Sequence, residues 1–162
     1  MGAFAVDLNA EDLTRLNVRL TKLLQDAEHL HPVMEQAAEY MQRATINRIL
    51  RTKRSPEGEL WAALSDVTIA LKGHDRPLFE SGELSRSIEV TDVNDHGFEL
   101  TADTEYASLM QEGFNHAGRK ARRGGKRYSK ADKVPARPFM GFSEENVKRI
   151  SKMLRDHIAH GG

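Results

Sequence analysis

The stretch "GGKR", Gly124 to Arg127, ends like a phosphate-binding loop, whose ligand would be a nucleotide. The pattern GxxxxGK followed by Ser or Thr needs its first glycine five residues before the second, and a magnesium-binding hydroxyl after the lysine. Lys120 and Arg127 stand at those places, so neither part of that chemistry is present. His29 and His31 are too close to share a helical face; His157 and His160 share one but lack a third ligand nearby, and zinc needs three or four. There is no cysteine, which removes thiolate sites, thiol nucleophiles and disulfides together. Glu57 with Glu59, and Glu144 with Glu145, are explained by loop solubility and helix capping, and no Ser, His and Asp grouping stands out. The expectation is a protein that is not an enzyme and holds no cofactor and no metal.

The strongest chemical signal is charge. Gly118 to Lys133 carries Arg119, Lys120, Arg122, Arg123, Lys126, Arg127, Lys130 and Lys133 against Asp132 alone, while the chain as a whole sums to zero. The segment is therefore +7 and the remainder −7. Such asymmetry suits a basic segment that meets a polyanion, or one that docks on an acidic surface of a sister subunit. A solvated, idle loop is the bland third reading.

The elements that must carry this segment follow from spacing. At 162 residues and 39% hydrophobic, the chain has material for one core, and the expectation is one domain over 1–162 with a basic loop inserted at 114–133. Leu13, Leu16, Leu20, Leu23, Leu24 and Ala27 predict an amphipathic helix from an N-cap at Asn9 to about Leu30. Pro32 opens a second helix to about Arg51, with Val33, Met34, Ala37, Ala38, Met41, Ala44, Ile49 and Leu50 inward. The polar faces mix both signs, which favours core helices over membrane binders. No run approaches the roughly 18 apolar residues of a membrane span, and the N-terminus does not read as a signal peptide.

"RTKRSPEGELWAAL" is a turn-rich connection closing on Trp61, and Ser65 to Leu71 suits a short helix. Ile88 and Val90 then alternate with Glu89 and Thr91, Asn94 to Gly97 make a turn, and "FELTA" alternates again, predicting a β-hairpin. A hairpin alone is marginal and needs helices over its apolar face, so the fold class is α+β. "TEYASLMQEG" predicts a short helix with Tyr106, Leu109 and Met110 inward, ending at Gly113. Gly118 to Lys133 is expected as an exposed irregular loop, or one ordered only against a partner. Ser143 caps a last helix with Val147, Ile150, Ser151, Leu154 and Ile158 on one face.

Four blocks in order, "SPEGELWAAL" (Ser55 to Leu64), "PLFESGELSRSI" (Pro77 to Ile88), "EYASLMQEG" (Glu105 to Gly113) and "VPARPFMGFSEENVKRI" (Val134 to Ile150), resemble the phage virion morphogenesis family. Its members include tail completion proteins and the G protein of Mu-like phages. The resemblance covers about Ala38 to Leu154. It departs at Met110, where a histidine often precedes the glutamine.

The resemblance implies a neck or tail-completion-like fold: long N-terminal helices, a small antiparallel sheet with a hairpin, and a C-terminal helix packed on the sheet. It implies a structural virion protein of the head-tail junction, forming a ring, expected to be a hexamer, at the neck or tail top. Assembly would occur in the host cytoplasm. The implied partners are connector or neck proteins on the head side and tail tube or sheath proteins, with passing contact to double-stranded DNA and none to membrane.

Within the blocks, Trp61, Gly82, Leu84, Tyr106, Gly113, Arg137, Pro138 and Phe139 are the expected structural residues. Gly58 and Gly82 permit turns, and Trp61, Phe79 and Phe139 are apolar anchors. Arg137 has two readings, an acid on a neighbouring subunit or an internal salt bridge fixing the last helix. For the basic segment, the −7 elsewhere favours an assembly arm over a DNA-facing loop, and Tyr128 is its one stacking aromatic. The rival from another class is a free, non-sequence-specific nucleic-acid-binding protein using residues 118–133.

Overall fold

A computed structural model describes residues 10–115, 120–123, 126–129 and 133–160. Helix α1 (Ala10–Glu28) precedes α2 (His31–Asn47), and the expected cap at Asn9 lies outside the described residues. Pro32 lies in the first turn of α2, and Val33, Ala37, Ala38, Met41 and Thr45 form its buried stripe. The α2 N-terminus has no cap of its own; the His31 N–H instead donates to Asp95 Oδ1 at 2.7 Å, from the distant hairpin turn.

The stripe does not stop at Asn47. Arg48–Thr52 continue as a π-helical turn in which the consecutive residues Arg48 and Ile49 are both buried. It closes with the Lys53 N–H donating to Arg48 O, Lys53 taking a left-handed conformation. Single π turns of this kind gather at functional positions. Short helices α3 (Asp66–Lys72) and α4 (Glu83–Arg86) follow, and Ser65 caps α3, its Oγ accepting from the Thr68 N–H.

Strands β1 (Ile88–Asn94) and β2 (Gly97–Ala102) form the predicted hairpin. Ile88 opposes Ala102 and Val90 opposes Leu100, facing the core, while a bulge at Thr91 shifts the phase. Asp92 and Glu99 therefore pair outward, beside Glu89, and all three are exposed. Helix α2 covers the inner face, and Gln42 Nε2 donates to Ile88 O at 2.8 Å. Helix α5 (Ala107–Glu112) follows, with Ala107 buried but Leu109 44% exposed, against the expectation that Leu109 points inward.

Within the segment expected as an exposed long loop, the described residues pair as strands. β3 (Phe114–Asn115) pairs with β6 (Lys133–Val134), and beyond them β4 (Lys120–Arg123) pairs with β5 (Lys126–Ser129). Two four-residue runs separated by Gly124 and Gly125 are a hairpin signature that charge density obscured. Helix α6 (Glu144–His160) packs against α2 and α1, and Phe142 ahead of it meets Phe98 of β2 with ring centroids 6.3 Å apart. Val147 is 51% exposed, so it leaves the buried face expected for it, and Asn146 is buried instead. On α1, Leu20 and Leu24 are 48% and 66% exposed, against the inward stripe expected for them.

The fold is α+β, with a core of Ile49, Trp61, Leu84, Ile88, Ala107 and Phe139. Gly113 joins α5 to β3 at φ +75°, and a Cβ there would lie 2.6 Å from Ala136 N and 2.7 Å from Val134 O. Gly113→Ala should cost about 1–3 kcal/mol through backbone strain and this clash, read as a lower urea midpoint. Gly97→Ala, with nothing within 4 Å of the added carbon, should stay within about 0.5 kcal/mol of the parent. Equal midpoints for the two variants would contradict the assigned backbone.

Candidate functional site: a tethered strap and a basic arm

Between β6 and α6, residues 137–141 belong to no helix or sheet, yet side chains from distant parts of the chain satisfy their peptide groups. Trp61 Nε1 donates to Pro138 O at 2.8 Å. Gln111 Oε1 accepts from the Phe139 and Met140 N–H groups at 2.9 and 3.0 Å, and its Nε2 donates to Met140 O at 3.1 Å. Arg48 Nη1 donates to Phe139 O at 2.6 Å and to Gly141 O at 3.2 Å. The strap holds itself at its first residue: the Arg137 N–H donates to Met110 O at 2.8 Å, and its guanidinium donates to Ala62 O and Ala63 O at 2.9 and 3.0 Å.

The strap ends on a helix cap. Arg48 Nη2 donates to Asn146 Oδ1 at 3.2 Å, Asn146 Nδ2 donates to the Tyr40 hydroxyl at 2.8 Å, and Ser143 and Asn146 cap each other reciprocally at the start of α6. Arg48 and Arg137 are both buried, and their charges are met by carbonyl dipoles. Burial pulls both guanidinium groups below their ordinary value; for Arg48, Glu57 and then Tyr40 act in the opposite direction.

Beside the strap opens a cleft of about 390 Å³, lined by Leu64, Leu78, Tyr106, Met110, Phe114 and Val134 among others. Burial, with a hydrogen bond to the Glu83 carboxylate and its charge, raises the Tyr106 phenol above its ordinary range. The β3–β6 pair forms one wall and is also the root of the basic arm. The arm runs beside α3, and its register sets Arg122 opposite Arg127 and Arg123 opposite Lys126. Like charges directly opposite destabilise a ribbon. Lys120 lies in β4 and Lys133, exposed, in β6; Arg119 and Lys130 lie outside the described residues. Among the described residues, no three His, Asp or Glu side chains gather as a metal site, and no helix is long and apolar enough to cross a membrane.

The phage virion morphogenesis family model matches residues 11–159, a span holding the strap, every side chain that tethers it and the arm. The chain belongs to this family. It is thus a bacteriophage virion morphogenesis protein with a structural role among other virion components. No curated protein and no solved structure matches it.

The family blocks converge in space. "SPEGELWAAL" supplies Trp61, Ala62 and Ala63 to the strap, "EYASLMQEG" supplies Met110 and Gln111, and "PLFESGELSRSI" supplies the buried Leu84 and Ile88. Gly82 starts α4 at φ +80°, Pro138 is half-buried, and Phe139 is almost fully enclosed. Arg137 follows neither reading of the sequence, since its partners are main-chain carbonyls of its own chain rather than a carboxylate. Arg48 and Gln111 escaped the sequence reading as strap ligands, and Asn146 as the cap residue that meets Arg48. For Arg48 a signal existed: it falls three residues after Thr45 and seven after Met41, on the buried stripe of α2.

Removing a tether should be costly, because each orphaned buried polar group costs about 1–3 kcal/mol. Arg48→Met leaves two carbonyls without this donor and is expected to lose at least about 2 kcal/mol in urea unfolding. Gln111→Glu keeps an acceptor for the two N–H groups, so it should be less damaging than Gln111→Leu. The reverse order would contradict the assigned role.

Proposed function

We propose that this protein is a structural component of the head-tail junction, a tail completion, tail terminator or neck protein that joins tail to head as a ring of its own copies. Family membership supports the virion role. The observation that supports the finer reading is the arm, whose register places Arg122 opposite Arg127 and Arg123 opposite Lys126, a concentration of positive charge that suits an anionic surface on a neighbour. The chain acts as a single domain of 1–162, a hexamer in the assembled ring, at the neck or tail top after assembly in the host cytoplasm. Its neighbours are head-side connector or neck proteins and tail tube or sheath proteins, and double-stranded DNA passes through the lumen with no more than transient phosphate contact. The protein performs no catalysis.

Light scattering on purified protein at low and moderate salt, with a short DNA duplex in a parallel sample, tests this. A discrete ring-sized species without DNA is the expected result. A strict monomer that binds the duplex with steep salt dependence would move the function to free nucleic-acid binding.

A further inference from the structure

The outer face of the β1–β2 ribbon is the negative counterpart of the arm. Glu89, Asp92 and Glu99 are exposed there, with Asp92 directly opposite Glu99 across the strands. Asp103 and Glu105, also exposed, extend the negative surface beyond the end of β2. No ion pair joins any of these five carboxylates to a cation among the described residues. Helix α2 covers the other face of the ribbon, so this one is left to solvent. The Thr91 bulge is what produces it: strict alternation from Val90 would turn Asp92 toward the core.

Two ribbons on one chain therefore carry matched defects. The arm opposes cation to cation at Arg122/Arg127 and Arg123/Lys126, and the β1–β2 ribbon opposes acid to acid at Asp92/Glu99. Each repulsion would be relieved by the other surface. Within one chain the arm's main packing neighbour is α3 and not the β1–β2 ribbon, so a contact between the arm and that acidic face joins two copies.

We propose that the β4–β5 arm of one subunit docks on the acidic outer face of the β1–β2 ribbon of the next, forming the head-to-tail contact that closes the ring. This rests on the ring reading above and names its interface. Two unlike surfaces on one chain make a heterologous contact, which closes into a ring when the rotation between copies permits. The contact is electrostatic, so it weakens as salt rises.

The experiment uses the full chain and two charge reversals, Arg122→Glu with Arg127→Glu on the arm, and Asp92→Lys with Glu99→Lys on the ribbon. Asp92 and Glu99 are exposed and all four positions lie on strands, where a change of charge leaves the core cluster untouched, so thermal melts should match the parent. By light scattering, each double variant alone should need at least tenfold more protein to assemble. A one-to-one mixture should recover the ring, because each variant then presents an arm and a face complementary to the other's. The quadruple variant should assemble by itself.

Variants that assemble like the parent would overturn the arm-to-ribbon contact while leaving the ring intact. Variants that keep the parent's assembly but lose binding to a DNA duplex would overturn it in favour of a phosphate-facing arm. A parent chain that stays monomeric at every concentration and salt would remove the ring reading, and this inference with it.

Discussion

Everything near the centre of this molecule depends on satisfying five residues of irregular backbone. The strap from Arg137 to Gly141 places its own Phe139 in the core, where an unpaired peptide group costs about 1–3 kcal/mol. Among the described residues no strand pairs with it. Arg48, Trp61 and Gln111 take that place, one from the end of α2, one from a loop and one from α5. Each tether fixes the element it comes from, so the strap is where otherwise separate helices and loops acquire a common frame.

That frame positions the parts that face outward. The strap's first residue clamps the Ala62–Ala63 carbonyls just ahead of α3, and the arm lies beside α3. Its last residues lead to the Ser143–Asn146 cap, which starts α6 against α2. Helix α2 in turn carries the β1–β2 ribbon and takes its N-terminal cap from Asp95 in that ribbon's turn. The basic arm and the acidic ribbon are thus carried at set places on one scaffold.

The sequence was most legible where a repeating pattern had a single physical cause. The stripes of α2, the hairpin from Ile88 to Ala102 and the cap at Ser143 all follow from spacing. It was least legible where polar residues do structural work, because Arg48, Gln111 and Asn146 look like ordinary surface residues of helices until their distant partners, between 28 and 106 residues away, are known. The basic segment misled for a different reason: its glycines and its lack of aliphatic residues argued for an exposed loop, while the four-residue runs Lys120–Arg123 and Lys126–Ser129 pair as strands. Exposed Leu109 and Val147 belong to faces that periodicity alone would bury.

Amide hydrogen exchange at Phe139 and Met140 tests the account most directly. Both N–H groups lie outside every helix and strand, and each donates to Gln111 Oε1. If the strap is the frame of the fold, these two amides should exchange as slowly as those of the buried turns of α2, opening only with global unfolding. Exchange at the rate of an exposed loop would mean that the strap is peripheral, and that the core is held without it.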